Sequence, residues 1–236
     1  MDYISLPDAV ERPLTFYLAM EEYVAAAFGC GFFVWRVAPT VIIGRNQDLY
    51  SEVNLPYCRA RGINVVRRKS GGGCVYADMG NLMLSYITEK EGVEVVFAEF
   101  LEKLAAVLRS LGMDAVRTAH NDILVGGAKV SGNAFFKLPH GSIVHGTLLH
   151  SVDFEILAKA ITPSAEKLAK HGVQSVRQRV ANLTGLGLAL SPEELTLTLE
   201  HAFCDGRRLL DSSGLAEIGE IEKSYKDPSF ILGKAH

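Results

Sequence analysis

Residues 63–88 read INVVRRKSGGGCVYADMGNLMLSYIT, and their order says more about the architecture than any other stretch. Ile63 to Lys69 alternates in the manner of a strand, and Ser70-Gly71-Gly72-Gly73 interrupts it. Cys74 to Tyr76 and Leu82 to Thr88 resume strand on either side of an Asp78-Met79-Gly80-Asn81 turn. A phosphate-binding P-loop would end in Gly-Lys-Ser/Thr and open a helix; here a strand follows. The glycine run therefore sits between strands, which argues for antiparallel neighbours and against a doubly wound sheet.

Working outward, Arg12 to Gly29 predicts a helix, with Pro13 in its first turn and Gly29 as its stop. Strands are expected over Phe32 to Val37 and Thr40 to Gly44, and a short helix over Pro56 to Arg61, ended by Gly62. Downstream, Phe97, Phe100, Leu101, Leu104, Leu108 and Leu111 form one stripe at helical spacing, giving a helix from Val93 to Leu111. Ala115 to Val152 reads as strand and turn. Helices are then expected over Phe154–Ile161, Ser164–His171 and Pro192 to about Leu210, with a weaker one over Leu215–Tyr225. The pattern is α+β: a mixed, mostly antiparallel sheet flanked by helices, in one domain over residues 1–236.

The 236 residues are 48% hydrophobic and 22% charged, enough for one sizeable core. A net charge of −3 provides no basic field for nucleic acid. Cys30, Cys58, Cys74 and Cys204 show no Cys-x-x-Cys pair, so zinc and disulfide frameworks are not expected. The apolar runs are shorter than the roughly 20 residues of a membrane span. A soluble, cytoplasmic protein with reduced thiols is the expectation.

Three constellations carry possible chemistry. The glycine run behind Arg67 and Arg68 could cradle an anion with its N–H groups while the guanidinium groups neutralise it; a flexible turn beside a basic strand is the alternative. Asn121-Asp122 precedes Lys129-Val130-Ser131-Gly132-Asn133-Ala134, where Lys129 either points into a cleft or is a solvated hairpin lysine. His145-Gly146-Thr147-Leu148-Leu149 puts His145 and Thr147 on one strand face. Cys74 is either a small packed residue or, as a thiol, an acyl carrier.

Taken together these segments resemble the lipoate–protein ligase A family, within the group that also holds biotin ligases and octanoyl transferases. Arg67-Arg68-x-Ser70-Gly71-Gly72-Gly73-x-Val75-Tyr76 with Asp78-x-Gly80-Asn81 looks like its lipoate and adenylate loop. The Lys129 segment resembles its lysine motif, His145 to Leu149 its third motif, and Ser175-Val176-Arg177-x-Arg179-Val180-x-Asn182-Leu183 a further one. The resemblance implies activation of lipoate by ATP with magnesium, then transfer to a carrier lysine. It implies Lys129 as the catalytic cation, touching acid and adenylate. Arg68, Gly73, Cys74, Val75, Tyr76, Asn121 and Asp122 are implied to bind the nucleotide. Arg68, Ser70, Gly71, Gly72, Gly73, Asn81, Lys129, Gly132, His145 and Gly146 are implied to bind lipoate. No fixed metal site is implied; magnesium would come with ATP, near Asp122. Implied partners are apo lipoyl domains of 2-oxoacid dehydrogenase E2 chains and the glycine cleavage H protein. The chain resembles the large catalytic domain without the C-terminal accessory domain, whose role a separate small protein would fill.

Some positions depart from the family pattern: Ala77 stands where many members have histidine, Cys74 where alanine is usual, and Phe135-Phe136 where polar residues are common. An octanoyl or lipoyl transferase would place a cysteine near Thr162-Pro163-Ser164 or within Thr118 to Asp122, and neither stretch has one. A non-catalytic module binding lipoate or a carrier domain is the reading from another class.

Overall fold

The computed structural model describes residues 1–139, 141–162 and 180–233. The elements run β1 (Asp2–Ser5), α1 (Leu14–Phe28), β2 (Gly31–Trp35), β3 (Thr40–Ile43), α2 (Leu49–Glu52), α3 (Leu55–Arg61), β4 (Asn64–Arg67), β5 (Val75–Ala77) and β6 (Asn81–Thr88). There follow α4 (Val93–Ser110), β7 (Ala115–Arg117), β8 (Asp122–Val125), β9 (Ala128–Leu138), β10 (Gly141–Leu149) and α5 (Phe154–Ala160). The chain continues through α6 (Pro192–Phe203), β11 (Gly206–Leu209), α7 (Ser212–Lys226) and α8 (Pro228–Leu232).

Eight strands form the large sheet in the order β11-β1-β2-β6-β10-β9-β8-β7, and β4-β3-β5 form a small one. The pairs β11–β1, β1–β2 and β3–β4 are parallel; the others are antiparallel. This is the expected mixed, mostly antiparallel α+β architecture. Alternation along the central strands sorts the core into layers. Phe32, Leu82, Leu84, Tyr86, Val144 and Leu148 face α4 and α6, where Phe32 stacks on Phe203 at 4.4 Å. Phe33, Trp35, Met83, Ile87 and Ile143 face α1 and α7. A third cluster, including Val41, Ile43, Tyr76 and Leu149, fills the seam between the sheets.

Helix boundaries follow the sequence signals closely. Pro13 caps α1, and Gly29 closes it with φ 73°. The α6 start is a capping box between Ser191 and Glu194 with Pro192 in its first turn. One expectation is overturned: the helix from Pro192 ends at Phe203, and Gly206–Leu209 is a strand pairing in parallel with Asp2–Ser5. The helix stops at Cys204, whose backbone is extended, and a Cβ added at Gly206 would sit 2.7 Å from Asp2 Oδ1, so the close strand pairing suits glycine there. The helix expected over Ser164–His171 lies outside the described residues.

Candidate active site

On the α1 side of the large sheet, between it and the small sheet, lies a cavity of about 680 Å³. It spans two hydrophobic clusters. One end is lined by Leu14, Leu18, Trp35, Ile42 and Met83, the other by Tyr76, Leu149, Leu157, Ile161 and Val180. Arg68, Gly72, Gly73, Cys74, Lys129, Gly132 and His145 stand between them.

Lys129 reaches this cavity because of a β-bulge. Asp122 pairs with Gly132 and Ile123 with Ser131, but Leu124 pairs with Lys129, so Val130 is an extra residue on β9. In a regular strand residues 129 and 132 would face opposite sides; the extra residue turns Lys129 onto the Gly132 side. There its Nζ lies 2.7 Å from Asp122 Oδ1. Gly132 makes room for it, since a Cβ at that position would stand 2.5 Å from Lys129 Nζ. Gly132→Ala is therefore expected to fold like the wild type, with a melting temperature within a few degrees, yet to displace the ammonium. A shift of about 1 Å at a reacting centre costs roughly 10²-fold, the loss expected when catalytic rate and thermal melting are measured side by side.

The neighbouring strands are locked by amide pairs. Asn133 Nδ2 donates to Asn121 O at 2.8 Å, and Asn121 Nδ2 donates back to Asn133 O. Gly146 lies opposite Asn133 on β10, and a Cβ there would fall 1.9 Å from Asn133 Oδ1. Thr147, sharing the cavity face with His145, bonds Gly132 through its hydroxyl at 3.2 Å.

Strand alternation divides the basic stretch before the glycines. Arg68 and Ser70 turn towards the site, Arg67 and Lys69 away from it. Arg68 is 5% exposed and holds the glycine loop from within: Nη2 donates to Gly71 O (2.7 Å) and Gly73 O (2.8 Å), Nε to Ser70 Oγ (3.0 Å). Burial pulls its guanidinium down to about 10, still charged at neutral pH. Of the three glycines, Gly72 alone has a positive φ, 94°. Gly44 is needed beneath it, since a Cβ there would meet Gly72 O at 2.3 Å.

Arg67 corrects the expectation of a second phosphate-neutralising arginine. Its guanidinium donates to the carbonyls of Gly44, Arg45 and Gln47, and to Ile231 (3.0 Å) and Leu232 (3.3 Å) of α8. Lys69 pairs with Glu22 at 2.7 Å and lies over the Tyr225 ring, whose hydroxyl bonds Glu22. Both side chains fasten the loop to the C-terminal helices.

Ser70 and Asn81 are not on the cavity wall. Ser70 Oγ meets His145 Nε2 at 2.5 Å behind it. Asn81 departs from the expected lipoate contact: it is fully buried at the start of β6, and its side-chain amide has no partner among the described residues. The turn before it is packed so tightly that a Cβ on Gly80 would lie 2.2 Å from Ser151 O. Gly71 faces a neighbouring cavity instead. The Ser175–Arg179 part of the fourth motif lies outside the described residues, while Asn182 clamps Val152 through both amide atoms.

Residue reasoning passed over Glu21 and Trp35. Glu21 is 2% exposed, with Oε2 2.9 Å from His145 Nδ1 and Oε1 accepting from Ser85 Oγ at 2.6 Å; Trp35 Nε1 donates to the same Ser85 at 2.9 Å. A signal was present: Glu21 follows Leu14 by seven and Leu18 by three, placing a carboxylate on the apolar stripe of α1. Cys74 lines the cavity, partly buried. Among the described residues no three or more His, Cys, Asp and Glu side chains converge as metal ligands. No described helix is long and apolar enough to cross a membrane.

Known proteins match this arrangement closely. Lipoate–protein ligase 1 of Staphylococcus aureus is 43% identical over 173 residues, 72% of this chain and 53% of that protein. The lipoate-protein ligase LplJ of Bacillus subtilis is 41% identical over 191 residues, 80% of this chain and 56% of its own length. The chain thus spans just over half the length of these curated relatives. Among solved structures, a bi-partite lipoate protein ligase of Thermoplasma acidophilum superposes with a TM-score of 0.85 at 26% identity, covering 100% of this chain and 98% of that one. A lipoate-protein ligase A bound with ATP gives 0.84 at 25% identity, with 98% of each chain covered. The family model described as the lipoyl protein ligase A/B catalytic domain matches residues 13–204, and the chain belongs to that family.

Proposed function

We propose that the chain is the catalytic domain of a lipoate–protein ligase: it activates lipoate with ATP to lipoyl-AMP and passes the acyl group to a lysine of a lipoyl carrier domain. The observation that carries this reading is one cavity with two apolar ends and a cationic middle. The acyl chain takes the end lined by Leu14, Leu18, Trp35 and Met83, and the adenine the end lined by Tyr76, Leu149 and Ile161. The lipoate carboxylate and the α-phosphate then meet beside Lys129.

Two anions repel as the carboxylate oxygen attacks phosphorus, and fixed cations in a partly dry site offset that repulsion. Lys129, steered by Asp122, supplies the nearest charge. Arg68 acts at one remove. Because it draws the Gly71 and Gly73 carbonyls to itself, the N–H groups of Gly72 and Cys74, antiparallel across the same planar peptides, point away from it and serve as phosphate donors. Asn121 and Asp122 complete the nucleotide side; Gly132, His145 and Gly146 border the lipoate carboxylate. Magnesium would come with the ATP phosphates, near Asp122, and would supply charge neutralisation for the departing pyrophosphate. In the second half-reaction Lys129 stabilises the oxyanion while the acceptor amine displaces AMP.

The similarity to the Thermoplasma bi-partite ligase, described with its E2 lipoyl domain, supports an E2 lipoyl domain as acceptor and a second protein acting beside this chain. H protein of the glycine cleavage system is a further acceptor of the same chemistry. A cytoplasmic setting, where thiols stay reduced, suits the scattered cysteines.

The test is mass spectrometry of the pure protein with ATP, magnesium and lipoate, with and without an apo carrier domain. Lipoyl-AMP is expected; its absence, with no lipoate binding, would overturn the reading. Cys74 lines the same cavity, so a thioester transferase is tested in the same assay. Cys74→Ala is expected to keep at least half the adenylate-forming rate, whereas a dead but folded variant, with an acyl adduct on the wild-type thiol, would establish the transferase.

A further inference from the structure

A second cavity, of about 670 Å³, lies beside the first, between the glycine loop and the N-terminal half of α4. The two share Gly72, His120, Asn121, Asn133 and Ala134 as lining residues. These are the residues at the middle of the main cavity, next to Gly132 and Lys129, not those of either apolar end. A group entering through the second cavity therefore arrives where the acyl carbonyl of a bound adenylate lies.

We propose that this second cavity admits the acceptor lysine side chain of the carrier domain. The proposal rests on the ligase reading above. An acyl-adenylate filling both ends of the main cavity leaves the attacking amine a third direction of approach. The chemistry of the walls fits the stem of a lysine: Val93, Phe97, Ala98, Leu101 and Phe135 are apolar and suit its four methylenes. Its ammonium is met by Glu94, in the exposed first turn of α4, which makes no ion pair among the described residues. Arg117, the cation on the same wall, is held 3.3 Å from Glu102. Val93, 47% exposed, lines the cavity at the start of α4 and gives it an apolar edge open to an incoming carrier domain. The step balances without a further reactant. The deprotonated lysine nitrogen attacks the carbonyl carbon, a C–N bond forms, the C–O bond to phosphate breaks, and its electron pair leaves with AMP; the second amine proton passes to solvent.

The test uses Ala98→Trp, which fills the cavity, and Val93→Trp, which narrows its exposed rim with little risk to the fold. Lipoyl-AMP formation from ATP and lipoate is measured first in each preparation. The preformed adenylate is then challenged with Nα-acetyl-lysine amide, with an apo E2 lipoyl domain, and with hydroxylamine. The expected result is adenylate formation within twofold of wild type, unchanged discharge by hydroxylamine, and discharge by the two lysine acceptors at least tenfold slower. Unchanged lysine transfer in the folded Val93→Trp variant overturns the proposal. So does a wild-type protein that fails to speed discharge by acetyl-lysine amide over solution, or a variant whose defect is weaker ATP saturation. A wild type that makes no lipoyl-AMP at all sinks the ligase reading itself, a result distinct from these.

Discussion

Replacing Lys129 by alanine is expected to cut acyl-adenylate formation by about 10³-fold, the upper range for removing one fixed donor from a site of developing negative charge. The bulge at Val130 turns Lys129 inward, Gly132 leaves space for its head, and Asp122 fixes Nζ at 2.7 Å. Thermal stability falls far less. The Asp122 carboxylate loses its partner, but the Lys129 side chain is 22% exposed, so water screens what remains and the cost is about 1–2 kcal/mol. Pyrophosphate release and lipoyl-AMP by mass spectrometry read the first effect; a circular dichroism melt reads the second. Full activity in a folded Lys129→Ala protein would remove the central assignment.

Arg68→Ala should fail in a different manner, losing both fold and function. Its guanidinium satisfies Ser70 Oγ and the carbonyls of Gly71, Gly73 and Ile42. Orphaned buried acceptors cost about 1–3 kcal/mol each, and the loop glycines, being exposed, recover part of that from water. A net loss of about 3 kcal/mol lowers the melting temperature by roughly 6–12 °C for a chain of this size. Adenylate formation drops at least 10²-fold because the N–H groups of Gly72 and Cys74 lose their fixed direction. Charge-preserving Arg68→Lys cannot restore the loop, as an ammonium lacks the planar fork that spans two carbonyls. If Arg68→Lys kept wild-type stability and rate, the cation alone would matter and the loop-holding role would be wrong.

What the sequence disclosed and withheld follows from the reach of each signal. The α4 stripe, the Gly29 and Gly62 stops, and the strand–glycine–strand order at 63–88 are local, and each element appears within a few residues of its expected bounds. The pairing of Gly206–Leu209 with Asp2–Ser5 is not local: β11 is an exposed edge strand of four residues with no apolar alternation to mark it. The site divides similarly. Lys129, Gly132, His145 and the glycine loop stood out as motifs, and they line or border one cavity. Glu21 was hidden because a carboxylate on a helix reads as solvated until β10 brings His145 against it, 124 positions away. Arg67 and Arg68 are adjacent and chemically identical; only the alternation of the strand, and what packs on each side, gives one to the site and the other to α8.

That last division has a consequence for how the protein is made. Arg67 bonds to residues 164 and 165 positions later, while Lys69 joins Glu22 of the first helix to Tyr225 near the end of the described chain. Contacts so distant in sequence close last, after the strands between them have paired. A chain emerging from the ribosome therefore has its glycine loop in hand early but cannot set it until residue 232 is released. On the ligase reading, competence to make a reactive mixed anhydride would arrive only with completed folding, so an unfinished chain would neither hydrolyse ATP to no purpose nor lose activated acid to water.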